Sequence, residues 1–215
     1  MINRKDYPDF INDYYMYVTV AKGRSKRTAE GYLIDIKVFF RYLIFIKSEN
    51  DTEFDKISID KFSVESLKTV NLNVIYEYIY FLREERDNGA KSIARKISSL
   101  KSLFRYLNKQ VCLIDNDPTV NLELPSLKKS LPKYLSLDES ISLLKTVTDN
   151  KNESVRDYCI ITLFLNCGMR LSELVNLNIS DIDFKEQKMR LLGKGNKERI
   201  IYLNSSCIES LREYI

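Results

Sequence analysis

Apolar residues recur at helical spacing through most of the first half of this chain. Phe10, Tyr14, Tyr17, Val18 and Ala21 form one such set, which Gly23 closes. A second helix starts near Ser25 or Thr28, both suitable caps, and carries Tyr32, Ile36, Phe39, Phe40 and Leu43 on one face. A third, rich in Tyr and Ile, is expected from about Asn73 to Arg86, with Asp87-Asn88-Gly89 as its stop. The fourth, from about Lys91 to Asn108, has the cleanest stripe: Ile93, Ile97, Leu100, Phe104 and Leu107 step by three or four residues.

The pattern then breaks. Pro118, Pro125 and Pro132 interrupt any helix, and Lys128-Lys129 add charge, so 115–133 reads as an extended linker between a domain at 1–114 and another at 134–215. Ser136-Leu137-Asp138-Glu139 is a capping-box pattern that opens a helix to about Val147. Another helix follows from Val155 to Asn166, and a short one from about Ser172 to Leu177. The period then changes. Lys188 to Leu192 and Glu198 to Leu203 are strand-like and flank Gly193-Lys194-Gly195-Asn196-Lys197, a turn suited to a hairpin. Ser206 and Glu209 form a second capping pattern, and the helix they open carries no stop signal before Ile215.

Composition narrows the chemistry. The 215 residues contain no histidine, which excludes Ser-His-Asp triads, Cys-His pairs and HExxH or Cys2His2 zinc sites; any chemistry runs on Arg, Lys, Tyr and carboxylates. The four cysteines, Cys112, Cys159, Cys167 and Cys207, show no CxxC pair, and the expectation is of reduced, mostly buried thiols with no disulfide or bound metal. The start, MINRKDYPDF, has no apolar h-region, and no apolar run approaches the roughly 20 residues of a membrane span, so a cytoplasmic protein without a membrane partner is expected. The formal charge of +4 points weakly to an anionic partner.

Basic residues on the fourth helix sharpen that point. Opposite its apolar stripe lie Lys91, Ser92, Arg95, Ser99 and Ser102, with Lys96 and Arg105 on the flanks. Small hydroxyls between cations let a helix lie close in a major groove while Lys and Arg reach phosphates and base edges. Taken alone, such a stripe is more often a solvated face. Ser25-Lys26-Arg27-Thr28, at the start of the second helix, adds hydroxyls and cations at a helix N-terminus, where phosphate binds readily.

The second half is more specific. Asn166-Cys167-Gly168-Met169-Arg170-Leu171-Ser172-Glu173-Leu174 resembles the "TGLRxSEL" box of tyrosine recombinases, the phage-integrase family, with Leu177 and Asp181-Ile182-Asp183 following in the family's manner. Leu192-Gly193-Lys194-Gly195-Asn196-Lys197-Glu198-Arg199 resembles the family's β-hairpin motif, and Arg156-Asp157 and Leu131-Pro132-Lys133 also fit. The two boxes stand in order, about twenty residues apart, behind a basic helical domain.

The resemblance implies a mainly α protein: a four-helix, SAM-like core-binding domain, then the front part of an α+β catalytic domain with a small β-hairpin or sheet. It implies site-specific recombination of double-stranded DNA through a 3′-phosphotyrosine intermediate, with no cofactor and no metal. Arg170 matches the family's first catalytic arginine, and a guanidinium with two parallel donors suits the charge that builds on phosphate oxygens. Lys194 matches the hairpin lysine that protonates the leaving 5′-oxygen. Glu173 matches the acidic position that orients catalytic groups. Ser25, Lys26, Thr28, Lys91, Ser92, Arg95, Lys96, Ser99, Lys197 and Arg199 are the expected DNA contacts.

The family's later HxxR box, its following His or Trp and its nucleophilic tyrosine find no match in these residues. Tyr202 falls in the hairpin and Tyr214 on the helix after it. The chain therefore reads as truncated before the nucleophile, binding DNA as a monomer without cutting it, where the full-length form is a tetramer on two sites. The Xer-like subgroup that resolves chromosome dimers and the integrases of small mobile elements fit equally. A non-catalytic protein that occupies and regulates recombination sites is the alternative.

Overall fold

The computed structural model describes residues 3–48, 53–124, 131, 133–149, 155–193 and 197–215. The chain divides into two compact units, Met1–Lys129 and Ser130–Ile215. The first is helical and the second adds a small antiparallel sheet, a mainly α architecture. Among the described residues no helix is long and apolar enough to cross a membrane.

In the first unit, α1 (Asp9–Met16) runs into a π-helical turn at Tyr17–Ala21, and Gly23, at φ +58°, turns the chain out of it. The Ser25 hydroxyl caps α2 (Lys26–Phe45) by accepting the Thr28 N–H at 3.2 Å. A short α3 (Glu65–Lys68), with no sequence signal above, precedes α4 (Leu72–Glu84), which Asn71 caps through the Val74 N–H at 3.1 Å. The stop after α4 is Asp87, at φ +47°, whereas Gly89 is the N-cap of α5 (Ala90–Lys109).

The five apolar residues of the α5 stripe are all buried, as are Ile36, Phe39, Phe40 and Leu43 of α2. Aromatic rings fill much of this core: Phe40 stacks on Phe62 with centroids 4.0 Å apart, and Phe39 meets Tyr78 edge-on at 5.0 Å. Many of the tyrosines are packing groups, with Tyr14 and Tyr78 fully buried.

Within the expected linker, 115–124 folds back on the first unit. Ile114, Thr119 and Leu122 are buried against the first core. Asn108 donates to the carbonyls of Ile114 and Asp115 at 3.0 and 2.8 Å, and the Lys101 ammonium donates to that of Leu122 at 3.1 Å. Prolines forbid a helix here but not burial, and satisfied carbonyls let the segment fold back. Pro125, Lys128, Lys129 and Pro132 lie outside the described residues.

In the second unit the Ser136 box forms. The Ser136 N–H donates to the Glu139 carboxylate at 2.7 Å and the Glu139 N–H to the Ser136 hydroxyl at 3.2 Å, opening α6 (Leu137–Asp149). Then come α7 (Val155–Cys167), α8 (Leu171–Val175), β1 (Ile182–Asp183), β2 (Lys188–Leu192), β3 (Glu198–Tyr202) and α9 (Ser205–Tyr214). The sheet order is β1-β2-β3, with Met189 opposite Ile201 and Leu191 opposite Arg199. Met189 and Leu191 point into a core completed by Cys159, Leu163 and Leu203 and by Cys207, Ile208 and Leu211 of α9. The expected Ser206–Glu209 cap is replaced by Asn204, whose side chain accepts the Cys207 N–H at 3.0 Å. Leu203 is buried beside the end of β3, which leaves the extended Asn204 at the mouth of the helix.

The four cysteines are free thiols, with Cys159 and Cys207 buried and Cys167 half-buried. Cys112 is exposed on a left-handed turn, while Cys167 and Cys207, forty residues apart, bring their sulfurs within 3.9 Å as free thiols. Burial pushes the thiols of Cys159 and Cys167 up, and that of Cys207 up to about 12. Native protein at pH 8 is expected to give one fast thiol, Cys112, with a colorimetric disulfide reagent, and four after denaturation. Two or more fast native thiols would show that the α7–α9 packing is open.

Candidate functional site

Arg170 owes its position to the end of α7. Gly168, at φ +54°, terminates that helix, and Arg170 sits extended at the N-cap of α8. Its backbone N–H donates to Glu173 Oε2 at 2.7 Å and its Nη1 to Glu173 Oε1 at 2.9 Å. A second arginine joins from β3: Arg199 Nη2 donates to Glu173 Oε2 at 2.8 Å and reaches the Gly168 carbonyl at 3.4 Å. Glu173 is 2% exposed, so one buried carboxylate ties the α7–α8 turn to the sheet.

The Arg170 N–H, then the Arg170 guanidinium and the Arg199 charge, hold the Glu173 carboxyl below the usual carboxylate range. It therefore stays ionised where an ordinary glutamate begins to protonate. Its stabilising effect is present above the unfolded-state pKa and fades only as pH falls through the lower folded value.

Two arginines on one carboxylate leave a net positive charge. The Arg170 side chain is 65% exposed, and with one guanidinium N–H on Glu173 its other donors face outward. This arrangement can receive a tetrahedral anion in two parallel hydrogen bonds, with the guanidinium already oriented.

Gly193 closes the site from the hairpin side. A Cβ there would lie 3.3 Å from Glu173 Oε1, 3.3 Å from the Lys197 carbonyl and 3.9 Å from Arg170 Nη1. The Gly193 N–H donates to that carbonyl at 2.7 Å. Lack of a side chain at 193 thus permits the close approach of β2 to the ion cluster. Lys194 lies outside the described residues. Lys197 is exposed. Arg199, read from the sequence as a DNA contact, has its guanidinium engaged by Glu173.

In the first unit, Lys26 is exposed at the start of α2, and the Ser25 hydroxyl lies 2.9 Å from that of Thr28, so both hydroxyls serve the cap. On α5, Lys91 is exposed and the Ser92 hydroxyl donates to Asn88 at 3.0 Å. Ser99, expected on the outer face, and Lys96, expected on its flank, are both buried. Asp35 of α2, fully buried, accepts from Ser99 at 2.8 Å, from Arg95 at 2.5 Å and from Lys96 at 3.5 Å. A buried carboxylate requires donors, and residues 95, 96 and 99 of α5 supply them. Arg95 is still 54% exposed. The buried face of the helix is consequently wider than the reading above, taking in Lys96 and Ser99, and Lys91, Arg95, Ser98, Arg105 and Lys109 are its exposed polar residues. The missed signal was Asp35 itself, one turn before Phe39 and two before Tyr42 on an apolar arc.

Residues 133–215 match the family model described as the phage integrase family, and residues 53–110 match that of the phage integrase N-terminal SAM-like domain. A tyrosine recombinase XerC of Caldanaerobacter subterraneus subsp. tengcongensis is 42% identical over 211 residues, covering 97% of this chain and 59% of that one. A tyrosine recombinase XerD of Halalkalibacterium halodurans is 31% identical over 205 residues, covering 95% of this chain and 63% of that one. The chain thus spans about three-fifths of the length of these relatives. Among solved structures, the XerH site-specific recombinase in its post-cleavage complex with palindromic difH substrate is similar in fold, with TM-score 0.63 and 19% identity, covering 94% of this chain and 55% of that one. The Tn1549 transposon integrase in complex with transposon right end DNA gives TM-score 0.62 at 18% identity, covering 94% of this chain and 63% of that one.

Proposed function

Because this chain belongs to the phage integrase family of tyrosine recombinases, we propose that it forms the DNA-holding and phosphate-binding part of a site-specific recombinase. The observation that carries this reading is the Arg170–Glu173–Arg199 cluster, an outward guanidinium locked by a buried carboxylate. In strand cleavage by a tyrosine, negative charge builds on the non-bridging oxygens of the scissile phosphate. A guanidinium held in place beforehand stabilises that charge without reorganising. Arg170 is the group that touches the phosphate, and Glu173 and Arg199 are positioning residues. The reading gives Lys194 the proton donated to the leaving 5′-oxygen. Lys26, Lys91, Arg95 and Lys197 hold the DNA backbone, with Ser25, Thr28 and Ser92 alongside.

Neither Tyr202 on β3 nor Tyr214 on α9 is assigned as the nucleophile. In this reading the polypeptide binds duplex DNA and neither of these tyrosines forms a phosphotyrosine adduct, and strand exchange takes place in a tetramer on two sites. The DNA-bound state of the XerH and Tn1549 structures supports duplex DNA as the partner. Binding to a ~30-base-pair duplex, followed by fluorescence anisotropy, tests the reading. With at least four cations on phosphates, log K is expected to fall with log salt at a slope of about −4 or steeper. A flat salt dependence would remove the DNA reading. An adduct trapped on a nicked suicide duplex would overturn the assignment of the tyrosines.

A further inference from the structure

Two thiols of the second unit meet where α7 ends and α9 begins. Cys167 is the last residue of α7, Cys207 lies in the first turn of α9, and their sulfurs are 3.9 Å apart. Side-chain amides join the same two helix ends beside them. Asn204, the N-cap of α9, donates to Asn166 Oδ1 at 2.7 Å, and Asn166 Nδ2 donates to the Thr162 carbonyl at 2.8 Å. Polar bonds flanking the thiol pair therefore hold one helix end against the other. Cys159, two turns earlier on α7, is engaged instead by the Ser210 side chain.

A disulfide needs its sulfurs about 2.0 Å apart, so this pair has to close by about 1.9 Å. The slack lies at the end of α7. The Gly168 N–H reaches the Phe164 carbonyl at 3.3 Å, a long bond for a last helical turn, and Gly168 then redirects the chain at φ +54°. Rotation of the Cys167 side chain, with a small shift of that turn, brings the sulfurs into bonding range. The turn is the one that presents Arg170, three residues on, and its Gly168 carbonyl accepts from Arg199.

We infer that Cys167 and Cys207 form a reversible disulfide that staples α7 to α9 and restrains the turn carrying Arg170. Hydrogen peroxide, a small oxidant, reaches the half-buried Cys167 first. The Cys167 sulfur attacks one peroxide oxygen, the O–O bond breaks, and the other oxygen leaves as water with the thiol proton, giving a sulfenic acid. The Cys207 sulfur then attacks that of Cys167, the S–O bond breaks, and the hydroxyl leaves as a second water with the Cys207 proton. Two thiols lose two electrons, and one peroxide is reduced to two waters. A dithiol reverses the bond by exchange. Burial raises both thiols, so the oxidation is expected to take hours rather than seconds. The disulfide itself is independent of the DNA reading; the meaning of a restraint at Arg170 rests on it.

The experiment uses the whole chain with Cys112→Ser, which removes the exposed thiol, treated with hydrogen peroxide under native conditions and mapped by mass spectrometry after non-reducing proteolysis. A linked Cys167–Cys207 peptide is expected, lighter by two hydrogens than its reduced parts. It is expected to revert with dithiothreitol and to be missing from Cys167→Ser and Cys207→Ala; the first, at the half-buried position, suffices if the second does not fold. The bond closes a loop of about forty residues, so the oxidised chain is expected to melt about 5–15 °C higher than the reduced one. Peroxide is expected to leave the Cys167→Ser melt unchanged. Amide hydrogen exchange over residues 168–173 is expected to slow by about tenfold or more on oxidation. No link, a Cys159–Cys207 link, or a link that forms only in urea would overturn the pairing. The correct link with unchanged exchange over 168–173 would overturn the restraint of the Arg170 turn. Failure of the reduced chain to bind duplex DNA would count against the DNA reading and leave the disulfide standing.

Discussion

Asp35→Ala is expected to destabilise the first unit by about 3–5 kcal/mol, the usual cost of breaking a buried ion pair from one side. Asp35 is 0% exposed and accepts from three α5 side chains. Without it, the buried Lys96 ammonium loses its counter-charge, and the buried Ser99 hydroxyl keeps only its bond to the Arg95 carbonyl, at 3.2 Å. Arg95, half exposed, returns to water at little cost. Most of the loss therefore falls on Lys96. A double variant, Asp35→Leu with Lys96→Met, is expected to recover much of the stability, because two apolar groups replace a pair that was costly to desolvate. Urea unfolding followed by circular dichroism measures both. A loss below about 1 kcal/mol for Asp35→Ala would mean that water reaches the carboxylate and that the network is incidental.

Arg170→Ala is expected to lower DNA cleavage by about 10²–10³-fold, the range for removing one preorganised charge-stabilising donor. The assay uses a chimera in which this chain replaces the matching part of the Caldanaerobacter subterraneus relative. Affinity for the same duplex is expected to change by less than about tenfold, since one phosphate contact is lost among several. Arg170→Lys is not expected to restore the rate: a point ammonium cannot reproduce the two parallel donors or the bond to Glu173 Oε1. Glu173→Gln keeps the side chain's size but puts an amide where two oxygens accept from Arg170 and Arg199, so its loss is expected to appear in the cleavage rate rather than in binding. Cleavage by Arg170→Ala within tenfold of the parent chimera would remove Arg170 from the reaction.

Much of the fold is legible along the chain because it depends on near neighbours. The α5 stripe is buried at every position its period marks, and β2 keeps the alternation of Met189 and Leu191 inward with Arg190 and Leu192 outward. The Ser136–Glu139 box closes within one turn. Elements too short to show a period escaped: α3 has four residues and β1 two. The absence of histidine, a matter of counting, limits the chemistry before any coordinates are considered.

Within the site, motif spacing puts Arg170 and Glu173 one turn apart, but nothing local places Arg199, twenty-six residues on, against the same carboxylate. Nor does any window of sequence join Asp35 to Arg95, sixty residues away, and that pairing turns Lys96 and Ser99 inward. Cys167 and Cys207 meet for the same reason, as neighbours only once α9 lies on α7. Helix periods and caps are set by dihedral preferences and contacts a few residues apart, so the chain alone specifies them. Which polar groups share a buried partner is set by how the elements pack, where leaving a charge unpaired costs more than drawing flanking polar residues of a helix inward.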